Sequence, residues 1–261
     1  MTGAPTPLRL LTFNTLFKGD VRARLRVLGA ILERERYDLV CLQEVMYRRN
    51  ARLLRRVAGA AYPYRAFTGA VALRGGLMLL SRWPIRRCVF TRFAMTGPAR
   101  PELLMRKGAQ VAVVALPGAD CAVVNTHLSA NRDGDWSPAN RYTRVQRGEL
   151  DRLGALLSAI DPRLPLIVMG DFNLPRSSRV LAEFAAAQSL ADTMNGSREP
   201  TYRPTPQFPS PPAFDHVLLR SAPAGDLKPR ARLVFQDAVT LPDGRSAYLS
   251  DHYGIETELL R

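Results

Sequence analysis

The sequence predicts an α+β domain of two packed β-sheets flanked by helices, and three features carry that prediction. Apolar residues recur at helical spacing in four separated stretches, short apolar runs of strand length fill the intervals, and many of those runs follow one another directly. Leu8–Phe13 reads as a strand, and Val21, Leu25, Leu28, Ile31 and Leu32 then mark one face of a long helix. Asp38–Leu42 is a second strand, and Leu53, Leu54 and Val57 place a helix over 48–58. A series of strands opens at Gly75–Ser81 and ends near Asn125. Val145, Leu150, Leu153, Leu156, Leu157 and Ile160 give a helix from Asn140 to Ile160, closed by Asp161-Pro162 because proline cannot continue it. Leu166–Met169 is a short buried strand, followed by a helix near 177–188 and strands near 214–220, 230–238 and 253–259. Residues 196–212 carry six prolines, which excludes helix and central strand and predicts an extended surface segment that either covers a site or simply connects two elements.

Composition sets the bounds. With 261 residues, 46% apolar and 23% charged, the chain reads as a soluble globular protein, taken as one domain over 1–261. No apolar run approaches the roughly 20 residues that span a bilayer, and the start Met1-Thr-Gly-Ala-Pro-Thr-Pro lacks a basic segment followed by an apolar one. The expected setting is cytoplasmic, and Cys41, Cys88 and Cys121 read as buried thiols in a reducing compartment. No segment reads as an oligomerisation helix, so a monomer without an obligate protein partner is expected. The net charge of +14 is compatible with a phosphate-bearing partner, but arginine supplies 34 of the 37 basic residues and is spread along the chain, so the charge alone does not identify one.

Several apolar runs end in polar groups that a core has no use for. Asn14 closes the first strand, Gln43-Glu44 the second, Asn125-Thr126-His127 a middle one and Gly170-Asp171-Phe172-Asn173 a later one, while Asp215-His216 and Ser250-Asp251-His252 lie near the end. Each alone also reads as a turn, a cap or a solvated loop residue. Together they hold all three histidines of the chain, and a shared sheet system would gather their carboxylates, amides and imidazoles around one mouth.

In order along the chain, Leu11-Thr-Phe-Asn14, Leu42-Gln-Glu-Val45, Asn125-Thr-His-Leu128, Gly170-Asp-Phe-Asn173, Phe214-Asp-His-Val217 and Ser250-Asp-His252 resemble the motifs of the endonuclease/exonuclease/phosphatase superfamily of magnesium-dependent phosphoesterases. The resemblance implies a four-layered α/β/β/α sandwich of two packed mixed sheets flanked by helices. It implies that Glu44 holds Mg2+, with Mn2+ a substitute, helped by Asn14 and Asp251, all oxygen donors of the kind this hard cation prefers. Asp171 and His252 are the implied pair for water activation and phosphate contact, Asn173 holds water or phosphate, Asp215 orients His252, and His127 is a second imidazole near the phosphate. Residues 65–82 contain no Asp or Glu to support His127, which departs from the nuclease members, and His216 reads as structural.

Gly75-Gly-Leu-Met-Leu-Leu-Ser-Arg82, Arg106-Lys-Gly108, Asn125-Thr-His-Leu-Ser-Ala130, Arg144-Val-Gln-Arg-Gly-Glu-Leu150 and Leu249-Ser-Asp-His-Tyr-Gly254 resemble the sphingomyelinase-like branch, which implies cleavage at a phospholipid headgroup. The alternative is an endonuclease or exonuclease acting on DNA or RNA, with Arg132, Trp136, Arg141 and Tyr142 as substrate-binding candidates that suit either headgroup or nucleic acid. A catalytically inactive phosphate-binding protein is the reading from another class, opposed by the complete set of polar groups.

Overall fold

The computed structural model describes residues 7–69, 74–99, 101–221 and 228–260; residues 1–6, read above for a leader, lie outside them. The elements in order are β1 (Leu8–Asn14), α1 (Val21–Glu35), β2 (Leu39–Gln43), α2 (Arg48–Val57), β3 (Tyr64–Phe67), β4 (Met78–Ser81), β5 (Ile85–Arg92), a 3-10 turn (Pro101–Met105), β6 (Gly108–Leu116), β7 (Ala119–His127), α3 (Arg141–Ser158), β8 (Leu166–Asp171), α4 (Arg179–Ala187), β9 (Ala191–Asp192), β10 (Asp215–Arg220), β11 (Lys228–Val234), β12 (Val239–Thr240), β13 (Ser246–Ala247) and β14 (Gly254–Leu260). Two mixed six-stranded sheets result, ordered β11-β14-β1-β2-β4-β3 and β5-β6-β7-β8-β10-β9.

The layering follows from strands that are apolar on both faces, as sheets covered on both sides require. In β1 and β2, Leu10, Leu39 and Cys41 face the other sheet, where they meet Val123, Ile167 and Met169 of β7 and β8. The alternate residues Leu11, Phe13, Val40 and Leu42 face outward and are covered by Leu25, Leu28 and Leu32 of α1. On the opposite side Leu150, Leu153 and Leu157 of α3 and Phe184 of α4 cover Val124, Leu166 and Val168. The expected four-layered sandwich is therefore the observed one. Of the three cysteines, Cys41 and Cys121 are buried, but Cys88 is only half-buried, because it lies on β5, an edge strand with exposed neighbours on either side.

Topology brings the polar strand ends together. β1 and β2 pair in parallel, with Asn14 opposite Gln43, and β7 and β8 pair in parallel, with His127 opposite Asp171. All four thus present their carboxyl ends on one side, where ligands bind in sheets of this kind. β10 runs antiparallel to β8 and starts with Asp215 opposite Asp171, while β14 runs antiparallel to β1 and starts two residues after His252. Beneath this rim a buried polar bridge ties the two sheets, as Gln43 Nε2 donates to Asn125 Oδ1 at 2.8 Å and Asn125 Nδ2 donates to the carbonyl of Leu42 at 3.1 Å.

Gly170 sits where β8 presses on β7. Its φ is +155°, and a Cβ there would lie 2.0 Å from the Thr126 carbonyl oxygen. Exposed Gly148 in α3 has nothing within 4 Å of such an atom. Gly170→Ala is expected to destabilise the fold by more than about 3 kcal/mol, whereas Gly148→Ala gains about 1 kcal/mol from helix propensity; chemical denaturation of the two variants measures both.

Candidate active site

Asn14, Glu44, Lys107, His127, Asp171, Asn173 and His252 line one cavity of about 520 Å³, with Phe17, Lys18, Tyr47 and Leu104 among the residues of its wall. Asp171 is its centre and is almost wholly buried. Its Oδ1 accepts the Asn173 backbone N–H at 2.9 Å, and its Oδ2 accepts from Asn14 Nδ2 at 2.9 Å and lies 3.1 Å from His127 Nε2 and 3.8 Å from His252 Nε2. Burial opposes the charge, yet His127, His252 and Lys107 outweigh it and hold the Asp171 carboxyl far below the usual carboxylate range.

Behind the cavity, Asp215 Oδ2 meets His252 Nδ1 at 2.8 Å, with Asp215 fully buried. Burial pulls the His252 imidazole down, but Asp215 and Asp171 overcome it and push it up to about 10, so the ring is an imidazolium at neutral pH with Nε2–H turned toward the cavity side of Asp171. Asp171, Asp215 and His252 offer ligand atoms within 4.8 Å of one another. A hydrogen-bonded carboxylate–imidazole pair already uses His252 Nδ1, and magnesium prefers an all-oxygen set that keeps some water, so this triad is better suited to holding a proton than an ion.

The remaining oxygen donors lie beside this pair. Glu44 follows β2 in a left-handed conformation, φ 61°, which is uncommon for a side chain with a Cβ, and its Oε2 accepts the Phe17 N–H at 2.9 Å. Asn173 is also left-handed, φ 51°. Asp251 accepts from Ser250 Oγ at 3.1 Å. The Tyr202 phenol is pushed up to about 12, first by burial and then by the charges of Asp251, Asp171 and Glu44. Glu44 and Asn14 line the cavity, while Asp251 lies next to His252 outside its lining; all three are hard oxygen donors of the kind a magnesium ion takes.

The structure adds residues that the sequence did not single out for the site. Lys107 is buried with Nζ 2.8 Å from both His127 Nε2 and the Leu128 carbonyl. Lys107 thus places a cation against the same ring nitrogen that faces Asp171, in a region where residues 65–82 offer no carboxylate. A signal was available: Lys107 is one of three lysines in a chain that otherwise uses arginine. Arg24, buried in α1, donates to the carbonyls of Thr15, Leu16, Lys18 and Leu249 and so pins the loops after β1 and before Asp251. The proline-rich segment covers the site, because Tyr202 bridges to His252 and sets its ring edge against the imidazole, centroids 5.0 Å apart.

Of the substrate-binding candidates, Arg132 lines the main cavity, and with Trp136 it also lines a neighbouring cavity of about 450 Å³ walled by Tyr202, Phe208 and Phe214. Arg141 and Tyr142 lie in the first turn of α3 outside both cavities, where Asn140 caps the helix and the Arg141 guanidinium stacks 4.9 Å from the Tyr142 ring. His216 is fully buried, its Nε2–H donating to the Leu174 carbonyl at 2.9 Å and its Nδ1 3.3 Å from Asp192, which also accepts from Arg176 at 2.9 Å. This cluster anchors the chain just beyond Asn173.

The profile of the Endonuclease/Exonuclease/phosphatase family matches residues 11–252. The inositol phosphosphingolipids phospholipase C of Schizosaccharomyces pombe is 29% identical over 180 residues, covering 64% of this chain and 41% of that protein, so the chain spans about two fifths of the length of that relative. Among solved structures, the Staphylococcus aureus beta toxin F277A, P278A mutant with bound magnesium ions superposes with a TM-score of 0.78 at 16% identity, covering 97% of this chain and 99% of that one. D. rerio TDP2 complexed with a single-strand DNA product gives 0.77 at 19% identity, covering 98% and 99%. At these identities the two structures establish the shared fold.

The Asp192 cluster has a pH signature. Burial raises its carboxyl, but His216 and Arg176 outweigh this and hold it at about 2. A depressed folded-state value stabilises the protein fully above the ordinary carboxylate range and is lost as pH falls through about 2. Asp192→Asn is therefore expected to lower stability by on the order of 2 kcal/mol at pH 7 and to flatten the acid limb of a urea-denaturation series between about pH 4 and 2.

Proposed function

The chain belongs to the Endonuclease/Exonuclease/phosphatase family, and on that premise we propose that it is a magnesium-dependent phosphodiesterase acting on a phospholipid headgroup. One observation carries the chemistry: Asp171 and His252 share a cavity with the oxygen donors Glu44 and Asn14, which suit Mg2+, or Mn2+ in its place. When bound by Glu44, Asn14 and Asp251, the ion supplies Lewis-acid stabilisation of charge developing on the phosphate.

The remaining work falls to side chains. The His252 imidazolium donates its Nε2–H to a non-bridging phosphate oxygen, with Asp215 fixing the ring through Nδ1. Asp171 and His252 work as a pair: Asp171 accepts the proton of the attacking water, and the His252 imidazolium then gives its Nε2 proton to the leaving oxygen. Asn173 gives its Nδ2 to the Leu128 carbonyl at 2.9 Å, which leaves Oδ1 to orient the water. The Lys107 ammonium beside His127 stabilises charge on the phosphate or the leaving oxygen. The sphingolipid name of the yeast relative supports the headgroup reading. A nuclease is the second reading, favoured by Arg132 and Trp136 around the side cavity and by the DNA product in the TDP2 complex.

Hydrolysis of sphingomyelin vesicles, plasmid DNA and an abasic duplex, run side by side with magnesium or EDTA, tests the proposal. The expected result is choline phosphate release that EDTA abolishes, with Glu44→Gln and Asp171→Ala each losing on the order of a thousandfold and Lys107→Met on the order of a hundredfold in kcat. DNA cleavage without lipid turnover transfers the chain to the nuclease reading, and binding without turnover of any substrate overturns the enzyme reading.

A further inference from the structure

Helix α2 carries an unbalanced charge. Its sequence Arg-Arg-Asn-Ala-Arg-Leu-Leu-Arg-Arg-Val buries Asn50, Ala51, Leu53 and Leu54 and exposes Arg48, Arg49, Arg52, Arg55 and Arg56. The helix contains no acidic residue, and none of the five arginines forms an ion pair with a carboxylate among the described residues. Glu33, on the neighbouring helix, is occupied by the Ala61 N–H at 3.0 Å. Among the described residues, eleven arginines elsewhere pair with carboxylates, as Arg147 and Arg179 do with Glu183. Five arginines in ten residues without one acidic side chain, on a face about 15 Å long, are a local concentration well above the 34 in 261 of the whole chain.

Its position gives it meaning. Tyr47 is the residue that precedes α2, lines the active-site cavity and stacks under the Arg49 guanidinium at 4.9 Å. Across the same rim Leu104 is 71% exposed, and Met95, 55% exposed, shares a small cleft with Leu103 of the same turn. Exposed aliphatic side chains gain nothing from a phosphate backbone, whereas apolar tips beside a basic face match the boundary between lipid headgroups and acyl chains.

We propose that α2 and the Leu104–Met95 rim form a docking face for an anionic phospholipid bilayer, which lays the mouth of the cavity on the membrane surface. The arginines supply attraction to the anionic headgroups, and Leu104 and Met95 enter the acyl boundary. The inference rests on the phospholipid reading for its purpose but not for its test.

The test is sedimentation of the full chain, in EDTA, with phosphatidylcholine vesicles prepared with and without phosphatidylserine, at physiological and raised salt. Parallel samples measure magnesium-dependent hydrolysis of the soluble diester bis(4-nitrophenyl) phosphate. Wild type is expected to sediment with the phosphatidylserine vesicles and to be released by salt. Arg52→Gln/Arg55→Gln/Arg56→Gln is expected to lose on the order of a hundredfold in partitioning, and Met95→Ser several-fold, with soluble-diester hydrolysis unchanged in both. Equal sedimentation of wild type and the triple variant overturns the proposal, as does wild-type protein that ignores vesicles but binds a DNA duplex through these arginines. Arginine-dependent vesicle binding without diester hydrolysis supports the docking face and sinks the catalytic reading instead.

Discussion

The carboxylate of Asp171 is the interaction on which the site depends. It is the last residue of a buried strand, in register with His127 on one side and Asp215 on the other. Its two oxygens accept from Asn14 and from the Asn173 backbone and lie against both active-site imidazoles. A buried charge of this kind is tolerated only when it is fully surrounded by donors and cations. Those partners come from β1, β7, the turn after β8 and the loop before β14, so the charge at Asp171 orders four separate segments around one cavity.

The two sheets supply the rigidity this requires. Parallel pairs β1–β2 and β7–β8 fix which strand ends meet, and the Gln43–Asn125 bridge keeps the sheets from sliding beneath them. Two of the seven left-handed non-glycine residues among the described residues lie where chemistry is proposed. Glu44 and Asn173 both adopt left-handed backbone conformations, held by the Val45 N–H to Gly76 carbonyl bond at 2.8 Å and by the Asn173 N–H to Asp171 bond at 2.9 Å. Such conformations persist where the surroundings over-determine them.

Layering was legible in the sequence because doubly buried strands read as unbroken apolar runs and their polar termini stand out against them, whereas the order of strands within each sheet was not. Asn14, Glu44, His127, Asp171, Asn173 and His252 stand out this way, since each lies at or near a strand end, and the fold brings these six to one cavity. Residues that act from elsewhere were not. Arg24 sits inside a helix and looks like one more basic residue until its guanidinium is seen to hold four carbonyls. Tyr202 lies in the proline-rich segment, whose sequence excludes regular structure but says nothing of what it covers. Lys107 stood in a motif that pointed to a branch of the family, while its role beside His127 depends on pairing between β6 and β7, with Gly108 opposite His127. Local patterns report which elements form, and contacts across strands report what the side chains do.

The account turns on whether two buried carboxylates hold His252 as a cation facing the cavity. Nitrogen-15 NMR of the histidine rings across a pH titration of the metal-free protein measures this directly. The account predicts that the His252 ring keeps both protons up to about pH 10 and loses this protection in Asp171→Asn. A His252 ring that gives up a proton near the ordinary imidazole value of about 6.5, with Asp171 present, would contradict it.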